Sequence, residues 1–464
     1  MALHLNKLAQ HLKKIILWVL VGLSPAVFSA DGDIHQYQFE NGLRLVVKED
    51  HRSPTVAHMV WYKAGSIDEK NGTTGVAHVL EHMMFKGTKT LLPGEFSETV
   101  AKLGGRDNAF TSRDYTAYFQ QLQAKYLRTV MALEADRMQH LKLSKEEFAK
   151  EIQVVMEERR LRTDDDPINK LYEAFFATAF QTHPTRRPVI GWMNDLENMT
   201  HDDAQQWYDD WYTPHNAIVV IVGQVDSEQV HQWAKQTYGQ VPAKLLPTRK
   251  PQLEPKQHGE RRVQVKAPAE NPYVVIGFKV PKLENVESDV HPYALKVLSA
   301  VLDGYSGARL GRELVKGKEV ATQASAGYDG TGRGPSLFYL DATPAPGYTV
   351  EELEVQLIDQ VKQIANTGIT AEELQRVKSQ LIASQVYKRD SLFGQAMEIG
   401  QYLTVGFRVE DIDRIIEKIN AVTVEQVQEV AQIYFSNEQK TVGTLYPLPL
   451  SGQQPSQPPS GLRH

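Results

Sequence analysis

The chain has 464 residues, of which 41% are hydrophobic and 23% charged, and its formal net charge is −6. This length exceeds one ordinary domain, so the composition predicts a globular protein of two or more packed domains. The charge leaves no basic footprint for a nucleic-acid partner, and without cysteine the chain forms no disulfide.

The N-terminus, residues 1–30, has the layout of a secretory signal peptide. Lys13 and Lys14 precede an apolar run from Ile15 to about Leu23, and small residues follow. The run is shorter than the roughly 20 residues that span a bilayer. We therefore expect an exported, periplasmic chain with no stable membrane span after signal cleavage. An uncleaved N-terminal membrane anchor is the weaker alternative.

The segments after residue 31 alternate between strand-like and helix-like patterns. LRLVVKED and TVAHMVWYKAG predict strands, because they alternate or run apolar and are rich in β-branched and aromatic residues. TTGVAHVLEHMMFKG predicts a helix, with Thr73 or Thr74 as its N-cap and Gly87 as its stop. FSETVAKLGG predicts a short helix, NAFTSRDYTAYFQQLQ a pair of strands, and KYLRTVMALEADRMQH and SKEEFAKEIQVVMEERRLR two longer helices.

The second part of the chain repeats this order, from the strand YVVIGFKVP to the helix TAEELQRVKSQLIASQ. Ser144 and Thr370 each precede two glutamates at the start of corresponding helices. The repetition predicts an α+β fold of two homologous domains, each a mainly antiparallel sheet packed with helices. The predicted divisions are an N-terminal domain (31–240), a linker (241–265), a C-terminal domain (266–448) and a disordered tail (449–464).

The motif HVLEH places His78, Glu81 and His82 at positions i, i+3 and i+4 of a predicted helix, where they share one face. Two imidazoles four residues apart can bind one zinc ion, and the carboxylate beside them can accept a proton from zinc-bound water. The order of these residues is the inverse of the H-E-x-x-H motif of zinc peptidases. The alternative interpretation is a solvated helix face.

A third ligand is needed, because a catalytic zinc usually has three protein ligands and one open position. Glu151 and Glu158 are two helical turns apart on a later predicted helix and share a face, whereas Glu157 points about 100° away from Glu158. Charged residues on a helix face are usually just solvated. Spacing alone therefore leaves the third ligand open.

Three segments together, HVLEH, GGRDNAFTSRDYTAY and KEIQVVMEE, resemble the insulinase/pitrilysin family of zinc metallopeptidases, which includes the mitochondrial processing peptidases. The resemblance covers nearly the whole mature chain and implies that its two domains form one half of a clamshell. It also implies one zinc ion per chain, bound by His78, His82 and Glu158, with Glu81 as general base. Glu151 would then orient the ligands from outside the coordination shell.

The resemblance further implies that the segment DNAFTS is an edge strand to which an extended peptide substrate adds. We expect Asn108, Ala109, Phe110 and Thr111 to make that contact. Backbone hydrogen bonds of this kind hold a peptide with little regard for its side chains, so specificity would be broad. The alternative for Phe110 is a core aromatic residue.

The second domain departs from the family pattern at an arginine and a tyrosine that bind substrate. Val315 and Thr322 stand at those positions, and Arg312 and Tyr328 could replace the pair only in a different register. The sequence therefore predicts the catalytic subunit of a heterodimer, whose homologous companion supplies the pair. Its activity would be zinc-dependent endopeptidase cleavage of extended peptides or unfolded polypeptides outside the cytoplasm. The alternative is a non-catalytic polypeptide-binding or assembly subunit.

Overall fold

A computed structural model of the protein describes residues 34–450. The predicted signal peptide and residues 451–464 of the predicted tail lie outside this part of the chain. Within it, we find no helix with the length and apolar character needed to cross a membrane.

The first sheet has six strands in the order β1-β2-β6-β3-β5-β4. Their bounds are β1 (Ile34–Gln38), β2 (Arg44–Glu49), β3 (Thr55–Tyr62), β4 (Arg106–Thr111), β5 (Thr116–Gln123) and β6 (Ala217–Gly223). β2 and β6 are parallel, and all other neighbours are antiparallel. The last strand of this half along the chain, β6, thus lies in the middle of the sheet.

Eight helices of this half are α1 (Val76–Met83), α2 (Glu95–Lys102), α3 (Leu127–His140), α4 (Lys145–Arg159), α5 (Pro167–Ala179), α6 (Met193–Asn198), α7 (His201–Trp211) and α8 (Ser227–Gln236). A π-helical turn, Arg160–Asp164, connects α4 to the segment before α5. α1 packs against α4, α7 and β4. Its buried residues Val76, Val79, Leu80 and Met83 belong to the core on that face of the sheet.

The second sheet has five strands in the order β7-β11-β8-β10-β9. Their bounds are β7 (Arg261–Pro268), β8 (Tyr273–Val280), β9 (Ala321–Tyr328), β10 (Ser336–Pro344) and β11 (Lys440–Leu448). β7 and β11 are parallel and the other neighbours antiparallel, so this sheet repeats the β2-β6-β3-β5-β4 part of the first. The predicted α+β fold with two related, mainly antiparallel sheets is confirmed. β7 begins within the predicted linker, where RRVQVKAP alternates between exposed and more buried residues.

The helices of the second half are α9 (His291–Asp303), α10 (Val350–Thr367), α11 (Ala371–Arg389), α12 (Leu392–Thr404), α13 (Val409–Ala421) and α14 (Val424–Ile433). The two predicted N-caps are confirmed: the Ser144 side chain accepts a hydrogen bond from the Glu147 N–H, and the Thr370 side chain accepts one from the Glu373 N–H. Such caps satisfy donors that the first helical turn leaves unpaired.

Each half contributes one helix to the other half's sheet. α5 buries Leu171 and Phe175 against the second sheet, and α12 buries Ile399 and Leu403 against the first. The approach of α12 is close enough that a Cβ at Gly400 would lie 2.0 Å from the ring of Trp61, so the contact requires glycine. The two sheets are therefore interlocked by exchanged helices.

Candidate metal centre

The start of helix α1 differs from the prediction. Its N-cap is Gly75, with φ 88°, rather than Thr73 or Thr74. The predicted cap residue Thr74 instead donates its hydroxyl to Asp195, at 2.6 Å.

The carboxylate of the buried Glu69 takes over the capping, accepting N–H groups from Gly75 at 2.9 Å and Ala77 at 3.0 Å. Residue 75 must be glycine, because a Cβ there would lie 2.5 Å from the carbonyl oxygen of Ile190. The helix ends at Met83, before the predicted stop at Gly87.

The side chain of His82 is held by two neighbouring residues. Its Nδ1 lies 2.9 Å from Oε1 of Glu151, and the other oxygen of Glu151 lies 2.6 Å from Nζ of Lys86. Burial opposes ionisation of Glu151, but the hydrogen bonds from His82 and Lys86 outweigh it and lower the pKa of this carboxyl. Because an ionised carboxylate only accepts hydrogen bonds, Nδ1 of His82 donates to Glu151, and its Nε2 points toward Glu158.

The buried Glu158 faces both histidines. Its Oε2 lies 3.4 Å from Nε2 of His82 and 3.8 Å from Nε2 of His78, while its Oε1 lies 2.5 Å from NH1 of Arg162. Oε2 is buried and makes no hydrogen bond within the described residues. Glu157 is half exposed and pairs with Arg160 instead. The predicted difference in direction between Glu157 and Glu158 is thus observed.

These three residues fit a zinc ion. Within residues 34–450, one group of potential ligand atoms lies close enough together to share a metal ion. It is formed by His78, His82 and Glu158. Two atoms bound tetrahedrally to zinc at about 2.0–2.1 Å are roughly 3.3 Å apart, similar to the spacing seen here. Two histidines and one glutamate are also a ligand set found in zinc peptidases. A buried carboxylate oxygen without a hydrogen bond is costly unless something else binds it.

Glu81 lies beside this cluster and is only 6% exposed. Burial raises its pKa to about 7, although the hydrogen bond from Thr111 and the charge of His82 oppose the rise. The Thr111 hydroxyl donates to Oε2 of Glu81, which leaves Oε1 for another partner. A carboxyl group with a pKa near neutrality is suited to exchanging protons at neutral pH.

Strand β4 carries the four residues predicted to contact substrate, and all four line the cavity beside the cluster. β4 is at the edge of its sheet and pairs on one side with β5; no strand among residues 34–450 pairs with its other side. Ala109 is buried in the core, and Phe110 packs edge-on against Trp61 and Tyr115. Phe110 therefore lines the cavity, as predicted, and also packs among aromatic residues, as in the alternative interpretation.

The cavity has a volume of about 580 Å³, and every lining residue lies between His78 and Ile190, in the first half of the chain. Part of its wall is helix α5, which the sequence analysis missed, although Asp166 followed by Pro167 is a helix-start signal. Arg113, Arg162 and Arg187 also line it and were not predicted.

The positions expected for the arginine and tyrosine pair lie in the second half. Val315, in the π-helical segment Gly311–Gly317, packs against the core of that half, and Thr322 is exposed on β9. The nearby candidates are engaged elsewhere: Arg312 pairs with Glu313, and the buried Tyr328 donates to the carbonyl oxygen of Pro281.

Two family models match successive parts of the chain. The model described as insulinase (peptidase family M16) matches residues 44–192, which include the ligand cluster. The model described as the peptidase M16 inactive domain matches residues 198–381.

Individual proteins resemble the chain over most of its length. The zinc protease PqqE of Helicobacter pylori is 33% identical over 438 residues, which cover 93% of this chain and 97% of that protein. The crystal structure of a protease from Helicobacter pylori superposes with a TM-score of 0.85 at 32% identity, covering 90% of this chain and 100% of that one. The periplasmic protease PqqL of Escherichia coli shares the fold at 21% identity and a TM-score of 0.76, covering 91% of this chain but 48% of its own.

Proposed function

The chain belongs to the insulinase family, peptidase family M16, and on that basis we propose that it is a zinc-dependent endopeptidase acting on extended peptides or unfolded polypeptides. The observation that carries the proposal is the convergence of His78, His82 and Glu158 beside Glu81 in one cavity. Glu81 is buried beside these residues and accepts a hydrogen bond from Thr111, a placement that suits a proton-transfer group better than a structural one.

The proposed mechanism needs no covalent intermediate. His78, His82 and Glu158 would hold a zinc ion, which would supply Lewis-acid chemistry for the scissile carbonyl and for water. Glu81 accepts the proton of the attacking water at Oε1, because Thr111 occupies Oε2. The same oxygen then delivers the proton to the leaving nitrogen. Glu151 keeps His82 in the tautomer that offers Nε2 to the metal.

The open edge of β4 is the proposed binding surface for the substrate backbone. An extended peptide that pairs with this edge passes the side of Thr111, whose hydroxyl contacts Glu81. Backbone pairing selects for an extended chain more than for particular side chains. We therefore expect unfolded segments to be cleaved and folded proteins to be resistant.

We further propose that a homologous companion subunit completes the site. Val315 and Thr322 cannot replace an arginine and a tyrosine, and the whole cavity wall comes from the first half of this chain. PqqL, of which this chain covers 48%, has room for two units of this size in one chain. A pair of such units would bring a second chain's residues to the cavity.

The N-terminal pattern of two lysines, an apolar run and small residues supports export. The proposed location is therefore the periplasm, although residues 1–33 lie outside the part of the chain that the structure describes.

The test is cleavage of an unstructured quenched peptide library by zinc-loaded protein, with and without a homologous companion. We expect Glu81→Gln to lower turnover by about 10²- to 10⁴-fold while zinc remains bound, since that is the usual contribution of a general base. A chelator should abolish turnover, and added zinc should restore it. Turnover that is indifferent to both Glu81→Gln and the chelator would reject the proposal.

A second candidate function is supported by the same departure at Val315 and Thr322. It is a polypeptide-binding or assembly subunit that keeps the fold and the metal without turnover. Binding of unfolded peptides together with one zinc per chain, but no cleavage with any companion, would favour this alternative. Rate enhancement by a companion would favour the peptidase.

A further inference from the structure

The guanidinium group of Arg113 borders the cavity of the candidate metal centre and is not used by the proposed mechanism. It lies in the turn between β4 and β5, two residues after Thr111. Its Nε is buried and makes no hydrogen bond to any of the residues 34–450. The guanidinium carbon lies 4.3 Å from the centre of the Phe176 ring, which supports one face and leaves the edge of the group available.

The other arginines that line this cavity have protein oxygens as partners. Arg162 contacts Glu158 at 2.5 Å, Arg186 donates to the carbonyl of Gln181 at 2.9 Å, and Arg187 donates to the carbonyl of Glu69 at 2.6 Å. These three therefore have a structural reason for their positions. The guanidinium group of Arg113 instead packs on the ring of Phe176.

The nearby carboxylate of Asp114 is engaged by another arginine. Asp114 accepts the backbone N–H of Arg333 at 3.2 Å, and its carboxylate lies 3.5 Å from Nε of Arg333. Burial lowers the pKa of Arg113, while the charges of Asp114 and Asp329 oppose that change. The group nevertheless remains charged, since an arginine in a protein is effectively always protonated. Because burial makes this charge costly, a carboxylate that hydrogen-bonds to it directly would bind favourably.

We propose that Arg113 binds a carboxylate of the peptide substrate, either an acidic side chain or the free C-terminus, close to the scissile bond. The inference rests on the proposed function and names its substrate class: extended peptides with an anionic group near the cleavage site. A planar guanidinium with its edge free can hold a carboxylate through two parallel hydrogen bonds.

The short separation of Arg113 from Thr111 limits how far from the scissile bond the substrate carboxylate can lie. Thr111 contacts Glu81, and two residues of extended chain span at most about 7 Å, so Arg113 begins close to the reacting centre. An arginine side chain then reaches one or two substrate residues beyond the scissile bond. Glutamate at other positions should have no effect.

The experiment measures binding without turnover, in the full chain carrying Glu81→Gln and loaded with zinc. Labelled peptides are compared in pairs that differ only by Glu or Gln at one position, each with a free or an amidated C-terminus, and affinity is read from fluorescence anisotropy. At the position that Arg113 reaches, we expect the Glu peptide to bind about tenfold more tightly than the Gln peptide, the usual effect of a hydrogen bond to a charged group.

Added to this background, Arg113→Met should bring the ratio of the two affinities to one, and Arg113→Lys should keep part of it. The matched control is Arg128→Met, which removes the same charge from an exposed position on α3 and should leave the ratio unchanged. A preference that survives amidation assigns the anion to a side chain, and one that disappears assigns it to the C-terminus. Thermal unfolding of each variant identifies a loss of folding.

Equal affinities for Glu and Gln peptides in the unsubstituted background, or an undiminished preference in Arg113→Met, would overturn the inference. A lower melting temperature of Arg113→Met with an unchanged preference would likewise reduce Arg113 to a structural contact with Phe176. Cleavage of neutral peptides without any acidic preference would reject this inference and leave the peptidase proposal standing. A preference for acidic peptides without any cleavage would support this inference and reject the peptidase proposal.

Discussion

Helices α4 and α11 occupy corresponding places in the two halves of the chain, yet only α4 buries acidic residues toward the histidines of α1. Counted from their N-caps, Glu151 corresponds to Val377 and Glu158 to Ser384. Val377 is fully buried in the second core, whereas Ser384 is exposed. The same helix position thus serves packing in one half and a polar cluster in the other.

Helices α1 and α9 show the same contrast. Counted from the N-caps Gly75 and Val290, Glu81 corresponds to the exposed Lys296 and His82 to the buried Val297. The second half therefore builds this topology with an apolar residue where the first half buries a histidine. Since a buried ionisable group costs several kcal/mol unless it is compensated, the contrast supports the proposal that this polar cluster binds a ligand.

The strongest test of this contrast changes the proposed metal ligand on α4. We expect Glu158→Gln to weaken zinc binding by more than the roughly 10- to 100-fold that loss of a supporting hydrogen bond costs, because a ligand itself is replaced. Zinc affinity is measured by competition with a chelator. The matched control is Ser384→Ala on α11, which should bind zinc like the unsubstituted chain. Equal affinities for both variants would remove Glu158 from the ligand set.

A smaller effect is expected at the residue that supports His82. Glu151→Gln keeps the size of the side chain but removes the charge that fixes the protonated nitrogen of His82 and binds Lys86. We expect zinc affinity to fall by about 10- to 100-fold. The same chelator competition measures it, and a melting curve of the zinc-free protein separates this effect from a loss of folding. An unchanged affinity would make Glu151 a packing residue like Val377.

The two edge strands provide the third test. Thr111→Val on β4 removes the hydroxyl that holds Glu81, so we expect peptidase kcat/KM to fall by about tenfold, the usual value of a hydrogen bond to a charged group. Thr322→Val on β9 removes a hydroxyl from the corresponding strand of the second half and should leave kcat/KM unchanged. Zinc content should be equal in both. Similar losses in the two variants would mean that the edges do not differ in function.

The smallest expected effect is on the stability of the fold, at Glu254, which contacts residues of both halves. Burial alone would raise the pKa of Glu254, but Lys279 of β8 and the backbone N–H groups of residues 181–183 lower it to about 2. A lowered pKa in the folded state stabilises the protein above the unfolded value of 4.5, and this stability is lost as the pH falls from about 4.5 toward about 2.

Glu254→Gln should therefore be less stable than the unsubstituted chain at pH 6 by roughly 1 kcal/mol after solvent screening. At pH 3 the difference should narrow, because the native carboxylate has begun to lose its advantage over the unfolded state. Urea unfolding at both pH values measures the two differences. A difference that is constant with pH would show that charge plays no part in this contact.

The polar cluster was predictable because its parts are local. His78, Glu81 and His82 fall on one face of α1, and Glu151 and Glu158 are two turns apart on α4, so helical periodicity alone brings each set together. The assignment of Glu158 as the third ligand needed the family resemblance, since nothing in the spacing relates α4 to α1. The caps at Ser144 and Thr370 were predictable for the same local reason.

The features that the sequence did not predict depend on residues far apart in the chain. Threonine is a residue type favoured at N-caps, but the hydroxyl of Thr74 donates to Asp195, 121 residues away. Glu69 caps α1 instead. Arg113 looks like an ordinary turn residue until α5 brings Phe176 beneath it. The first five residues of β7, 261–265, fell within the predicted linker, and their alternation becomes meaningful only through pairing with β11.

The central place of β6 has a consequence for the timing of folding. Arg44 of β2 pairs with Ile218 of β6, about 170 residues later in the chain, so this pairing must close a very long loop. Until then β2 and β3 have no strand between them, and the first sheet cannot close. The second half repeats the delay, because β11 fills the gap between β7 and β8. Each half thus stays open until its last strand has been made, and non-local pairing of this kind folds slowly.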